Sequence, residues 1–318
     1  MRRRSRVASL VAAASATLSV LLAPVPATAA TGGASTTKLL VTRLPAEDSP
    51  LLTVLRLPPR TLSAGQTMSV YGRIAATTNV TRGPMMGARI ICLGGGGGSP
   101  YTVRNHSGKA YGVQTVVVRW LFVAPKDGTF TCELRGQAAT MLDPPATRLD
   151  LVADSTLLRM VPASSGSQQW LDRGDSCVGR VGIPDIQQCA RPKAATTVMH
   201  RVIPTARAKN VTAVADVQLS REYGGYPGGP STVKVTLEAM PANADNISCA
   251  PTKKTSATYT ISGNLHHYKA NLSLPQIPVN QSSACGTRVR IRTRVDHLDG
   301  NPVTVHNYRY SNTYALLY

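Results

Sequence analysis

The chain has 318 residues, with 35 lysines and arginines against 16 aspartates and glutamates, and its formal charge of +19 favours anionic partners. Its six cysteines form no CxxC pair and its six histidines no HExxH or other ligand-spaced cluster, so a metal centre is not expected, nor any cofactor, and three disulfides are.

Residues 1–30 read as an export signal. Arg2, Arg3, Arg4 and Arg6 form a positive start, residues 7–22 an apolar stretch, and Ala27-Thr28-Ala29 a small-residue cleavage site. No cysteine stands there to carry a lipid, and the C-terminus has no sorting motif, so release without a transmembrane segment is expected. Cleavage leaves a charge of about +15 on roughly 288 residues, enough for two domains. The anionic partners open to an exported chain are an extracellular protein or an envelope polymer or glycan, and not nucleic acid. Only nine of the 35 basic residues are lysine, an arginine bias that fits a GC-rich actinobacterial genome.

Residues 31–50, with Gly-Gly, Ser-Thr-Thr and Pro45, suggest an extended arm outside the first domain, of the kind that adds a strand to a partner. From residue 51 onward short segments follow a two-residue period. Met68, Val70 and Ile74 alternate with polar neighbours, as do Val116, Val118, Trp120 and Phe122, and then Phe130, Cys132 and Leu134. Residues 51–162 are therefore expected to form one β-sandwich. Residues 163–195 lack a period and read as a linker braced by a small disulfide loop. Residues 196–318 resume the alternation at Val211–Leu219, Val233–Ala239 and Val289–Val295 and form a second sandwich. The fold class is all-β. Cysteine spacing repeats between the halves, 40 residues for Cys92 to Cys132 and 36 for Cys249 to Cys285. Six cysteines allow fifteen connectivities. Pairing neighbours gives Cys92–Cys132, Cys177–Cys189 and Cys249–Cys285.

Ala64-Gly65-Gln66-Thr67-Met68-Ser69-Val70-Tyr71-Gly72-Arg73, followed by Gly87-Ala88-Arg89-Ile90-Ile91-Cys92, resembles the opening strands of bacterial immunoglobulin-like modules. Asp127-Gly128-Thr129-Phe130-Thr131-Cys132 resembles the corner before the second cysteine of immunoglobulin domains, with Phe130 where a tyrosine is usual. The resemblance implies two tandem immunoglobulin-like β-sandwiches. Trp120 lies near the second cysteine instead of soon after the first, which implies a bridge between different strands than in antibodies. In general outline the chain is also similar to adaptor subunits of secreted actinobacterial toxin particles.

No catalytic constellation emerges. Gly174-Asp175-Ser176 is followed by Cys177 and reads as a turn, residues 94–98 lack the ending of a phosphate loop, and His266-His267 reads as an exposed turn pair. The candidate binding residues lie in the second half. Arg288, Arg290, Arg292 and Arg294 alternate with Val289, Ile291, Thr293 and Val295, which places four guanidiniums on one strand face about 7 Å apart. Such a ladder suits phosphates or carboxylates, or else it meets acids on neighbouring strands, Asp296 or Glu238. Tyr223 and Tyr226 sit on a Gly-Pro loop between strands, a natural contact site. His306, Tyr308 and Tyr310 share a face by alternation and offer an aromatic platform. The expected function is that of a non-enzymatic adaptor or structural subunit of an extracellular assembly. The alternatives are a binder of anionic envelope polymer or glycan and an enzyme with an unrecognised site.

Overall fold

A computed structural model describes residues 38–43, 51–80, 84–95, 97–106, 110, 112–140, 148–164, 166–170, 176–179, 192–221, 229–261, 267–282, 284–306 and 310–318. The signal segment lies outside them. The chain is all-β, as the alternation requires. The first sandwich comprises β1 (Lys38–Arg43), β2 (Leu52–Arg56), β3 (Arg60–Leu62), β4 (Thr67–Thr78), β5 (Met85–Leu93), β6 (Thr102–Asn105), β7 (Gln114–Val123), β8 (Gly128–Thr140), β9 (Arg148–Leu151) and β10 (Leu157–Ala163). The second comprises β11 (Gln168–Trp170), β12 (Ser176–Val178), β13 (Ala195–Pro204), β14 (Asn210–Arg221), β15 (Ser231–Ala242), β16 (Lys253–Ile261), β17 (His267–Pro278), β18 (Arg288–Asp299), β19 (Val303–His306) and β20 (Asn312–Leu317).

Both halves share one topology. In the first, β4 pairs with β7 on one side and β10 on the other, while β8 lies between β5 and the early strands β2 and β3. In the second, β14 pairs with β17 and, on its other side, with β20. There β18 lies between β15 and the early strand β13. The early strand thus flanks the late strand β8 or β18, and the last strand flanks β4 or β14. In constant-type immunoglobulin domains those two edge places are filled the other way round. Each sandwich buries its own apolar core. Met68, Val70, Ile74, Phe122, Phe130 and Leu134 lie in the first, and Val217, Leu219, Val235, Leu237, Val289 and Ile291 in the second.

The disulfides Cys92–Cys132 and Cys249–Cys285 each stay within one half, the second joining the turn after β15 to the turn before β18. Cys92 and Cys132 are direct cross-strand partners on β5 and β8, so that bridge lies within one sheet and not between two. At the turn before β8, Asp127 Oδ1 accepts from the Ala64 amide at 2.7 Å. Phe130 is buried edge-on against Phe122, their centroids 5.3 Å apart. Cys177 is disulfide-bonded, and its expected partner Cys189 lies outside the described residues.

Two expected boundaries are corrected. The described part of the arm is β1, which pairs antiparallel with β9 and then parallel with β8, joining the two layers of the first sandwich. Leu39 is buried there, and Gly136 makes room for it: a Cβ at Gly136 would come 3.2 Å from Leu39 Cδ1. The expected linker supplies β11 and β12, which extend the second sandwich beside β20 and β19. Strands of three residues are too short to show a period.

The sandwiches meet through equivalent sheets, β10–β4–β7 of the first and β20–β14–β17 of the second. Val214, Asp216, Gln218 and Ser220 point away from the second core yet are buried, because the first sandwich covers them. Leu121 packs with Val214, Tyr314 and Leu316, while Met85, Val103 and Ala139 pack with Tyr101 and Tyr310. The Val103 amide donates to Gln218 Oε1 at 3.1 Å and the Leu121 amide to Gln169 Oε1 at 2.8 Å. The β6 end of the first sandwich's other sheet joins this contact too, whereas the β13–β18–β15–β16 sheet of the second sandwich faces solvent.

Candidate functional site

The exposed sheet of the second sandwich runs β13–β18–β15–β16. Val289, Ile291, Thr293 and Val295 of β18 are fully buried, so Arg288, Arg290, Arg292 and Arg294 lie on the outer face. Each guanidinium is held. Nη1 of Arg288 donates to Asn246 Oδ1 at 3.0 Å, and Nη2 of Arg290 donates to the Asn246 carbonyl. Nε of Arg292 donates to Glu238 Oε2 at 2.8 Å, and Nε of Arg294 to Asp296 Oδ1 at 2.8 Å. Both of the acids named from sequence are therefore partners, but for two arginines of the four. Arg288 and Arg290 instead clamp the turn at Asn246, whose φ of 64° is left-handed. Asp245 in that turn is exposed and makes no ion pair with them among the described residues.

Cross-strand neighbours complete the face. Lys234 lies opposite Asp296 and Lys254 opposite Glu238, and both lysines are exposed. The strands thus bring six cations to this face against three carboxylates, Glu238, Asp296 and, opposite Thr232 at the end of β18, Asp299. The corresponding strand of the first sandwich, β8, sets Thr131, Glu133, Arg135 and Gln137 outward. There one buried carboxylate, Glu133, takes both Arg56 and Arg135. Burial opposes its charge, but those arginines outweigh it and hold the carboxyl below its ordinary range.

The other candidates fare differently. Tyr223, Tyr226 and Tyr308 lie outside the described residues. His306 and Tyr310 form no open platform: β19 ends at His306, and Tyr310 packs edge-on to it and against Tyr101 of the first sandwich. His267 is likewise no exposed turn residue. It opens β17, and its amide donates to Asn105 Oδ1 at 2.7 Å across the junction. Ser220 Oγ lies 2.6 Å from His306 Nε2, a pairing that in an open cleft would invite a nucleophile–base reading. Ser220 is 2% exposed, which leaves a substrate no approach.

The residues that the sequence did not single out are those of the junction. Arg119 is the lone charge in Val116-Val117-Val118-Arg119-Trp120-Leu121-Phe122, a run apolar on both faces of β7, whereas β14 is apolar on one face alone and carries Asp216, Gln218 and Ser220 on the other. Strands buried on both faces read as runs like that of β7. That signal was available.

No protein-family model matches the chain, and no curated protein does. Among solved structures, the chain is similar to the N-terminal CBM22-1–CBM22-2 tandem domain of Xyn10C from Paenibacillus barcinonensis, at 10% identity and a TM-score of 0.22, over 82% of this chain and 83% of that one. It is also similar to a protein of infectious bursal disease virus, Gt strain (8% identity, TM-score 0.29, 88% and 75% covered), and to one of broad bean stain virus (10%, 0.23, 93% and 92%). Likenesses at these scores carry no argument about this chain, and the fold assignment rests on its own strand registers.

Proposed function

We propose that the chain is an exported, non-enzymatic binding protein that holds an anionic envelope polymer or glycan against the outer face of its β13–β18–β15–β16 sheet. One observation carries this reading. The same strand position is filled by a near-neutral sequence in β8 and by four arginines in β18, so the fold itself does not require the ladder. Exposed ion pairs contribute only about 0–1 kcal/mol each, too little to account for concentrating six cations there. The three carboxylates balance half of the six cations and leave a cationic field that attracts polyanions.

The test is retention of the full chain on immobilised anionic wall polymer and on a neutral glycan. Retention on the anionic polymer alone, released near 1 M salt where the screening length falls to about 3 Å, supports the reading. Equal retention on both matrices, or release insensitive to salt, overturns it. Recovery only as a stoichiometric complex with another protein would favour the adaptor instead.

A further inference from the structure

We infer that the occupant of this face is a linear polyol phosphate chain with one phosphodiester per three-carbon unit, lying along β18. The inference rests on the binding face proposed above and names its ligand by spacing. Alternate residues of a strand repeat at about 7 Å, the length of six backbone bonds. A chain in which phosphates are joined through three carbons also repeats every six bonds: two P–O, two O–C and two C–C. Extended alongside β18, it presents one anion to each arginine in turn. A polyuronate, whose carboxylates are held on rigid sugar rings, does not share that repeat.

The guanidiniums are already fixed for this task. Glu238 and Asp296 accept from Nε and Nη2 of Arg292 and Arg294, the side-on edge of each group. None of these bonds uses Nη1. The end-on Nη1–Nη2 edge therefore keeps donors for the two non-bridging oxygens of a phosphodiester, in the forked geometry that lysine cannot reproduce. These side chains are 39% and 46% exposed, so the edge is reachable. Asn246 also holds Arg288 and Arg290 in place, but through Nη1 of the first and Nη2 of the second, so the free end-on forks are those of Arg292 and Arg294. Groups held before the ligand arrives lose less freedom on binding. Lys234 and Lys254, on the adjoining strands, add charge without dictating spacing.

Binding of the full chain to poly(glycerol phosphate) and to polygalacturonate is measured at equal anion concentration and fixed salt. Wild type should prefer the phosphodiester polymer by roughly tenfold or more. The doubly conservative variant Arg292→Lys with Arg294→Lys keeps the charge and loses the forks, and its preference should fall towards one while some binding to both persists. Lys234→Gln with Lys254→Gln should weaken both polymers alike and leave the ratio intact. Equal wild-type binding to the two polymers overturns the spacing inference and leaves the anionic face standing. Binding to neither polymer overturns both. Melting temperatures of the variants within a few degrees of wild type show that each comparison concerns folded protein.

Discussion

Arg119 of β7 donates to Asp216 of β14 across the junction of the two sandwiches, and neither side chain is more than 12% exposed. Its Nη1 also reaches Ser273 Oγ at 2.7 Å, and its Nη2 the carbonyls of Ala215 and Leu272 at 3.0 Å each. Burial disfavours the Arg119 charge, but Asp216 outweighs it and holds the guanidinium pKa above its usual value. Breaking such a pair strands a charge, whereas removing both partners does not. Arg119→Met should therefore cost about 3–5 kcal/mol in urea unfolding, and Arg119→Met with Asp216→Leu should recover much of that loss. An equal loss in both variants would show that the pair itself is not what the junction depends on.

Lys269 gives the junction a pH dependence. Burial, aided by Arg119 and opposed by Asp216, lowers its pKa from 10.5 to about 8. The unfolded chain then binds the proton between pH 8 and 10.5 while the folded chain does not, so stability rises with pH across that window. Its full extent is on the order of 3 kcal/mol. Tyr314, pushed up chiefly by burial, acts in the opposite sense: its contribution is complete below pH 10 and is lost above it. Thermal unfolding of wild type should show a rise from pH 8 to about 10, and Lys269→Met should abolish it. A rise of the same size in the variant would assign the effect elsewhere.

The N-terminal strand is part of the fold. Leu39→Ala should cost about 2–5 kcal/mol, as truncation of a buried leucine does. A change below about 0.5 kcal/mol would return β1 to the status of a free arm.

Non-reducing peptide mapping should join the peptide containing Cys177 to the one containing Cys189. A peptide linking Cys177 to any other cysteine would break the pairing of neighbours.

The sequence disclosed the strands because each layer alternates one buried with one solvated position. It disclosed the arginine ladder for the same reason, since Val289, Ile291 and Val295 fix which way the arginines face. The junction stayed hidden because Asp216, Gln218 and Ser220 read as an ordinary polar face, and only a second sandwich buries them. The same junction removed His306 and Tyr310 from the binding candidates. Alternation states which residues share a face, but not what covers that face. The role of Asn246 was hidden too, because the turn that meets Arg288 and Arg290 lies some forty residues earlier in the chain.

The most direct test of the anionic face is the salt dependence of polymer binding by wild type and by Lys234→Glu with Lys254→Glu. Neither lysine is among the side chains that hold the turn or the core, so the variant should melt within a few degrees of wild type. A cationic face predicts that wild-type affinity falls steeply as salt rises, and that the variant binds at least roughly tenfold more weakly with a flatter dependence. Wild-type and variant curves that coincide at every salt concentration would contradict the account.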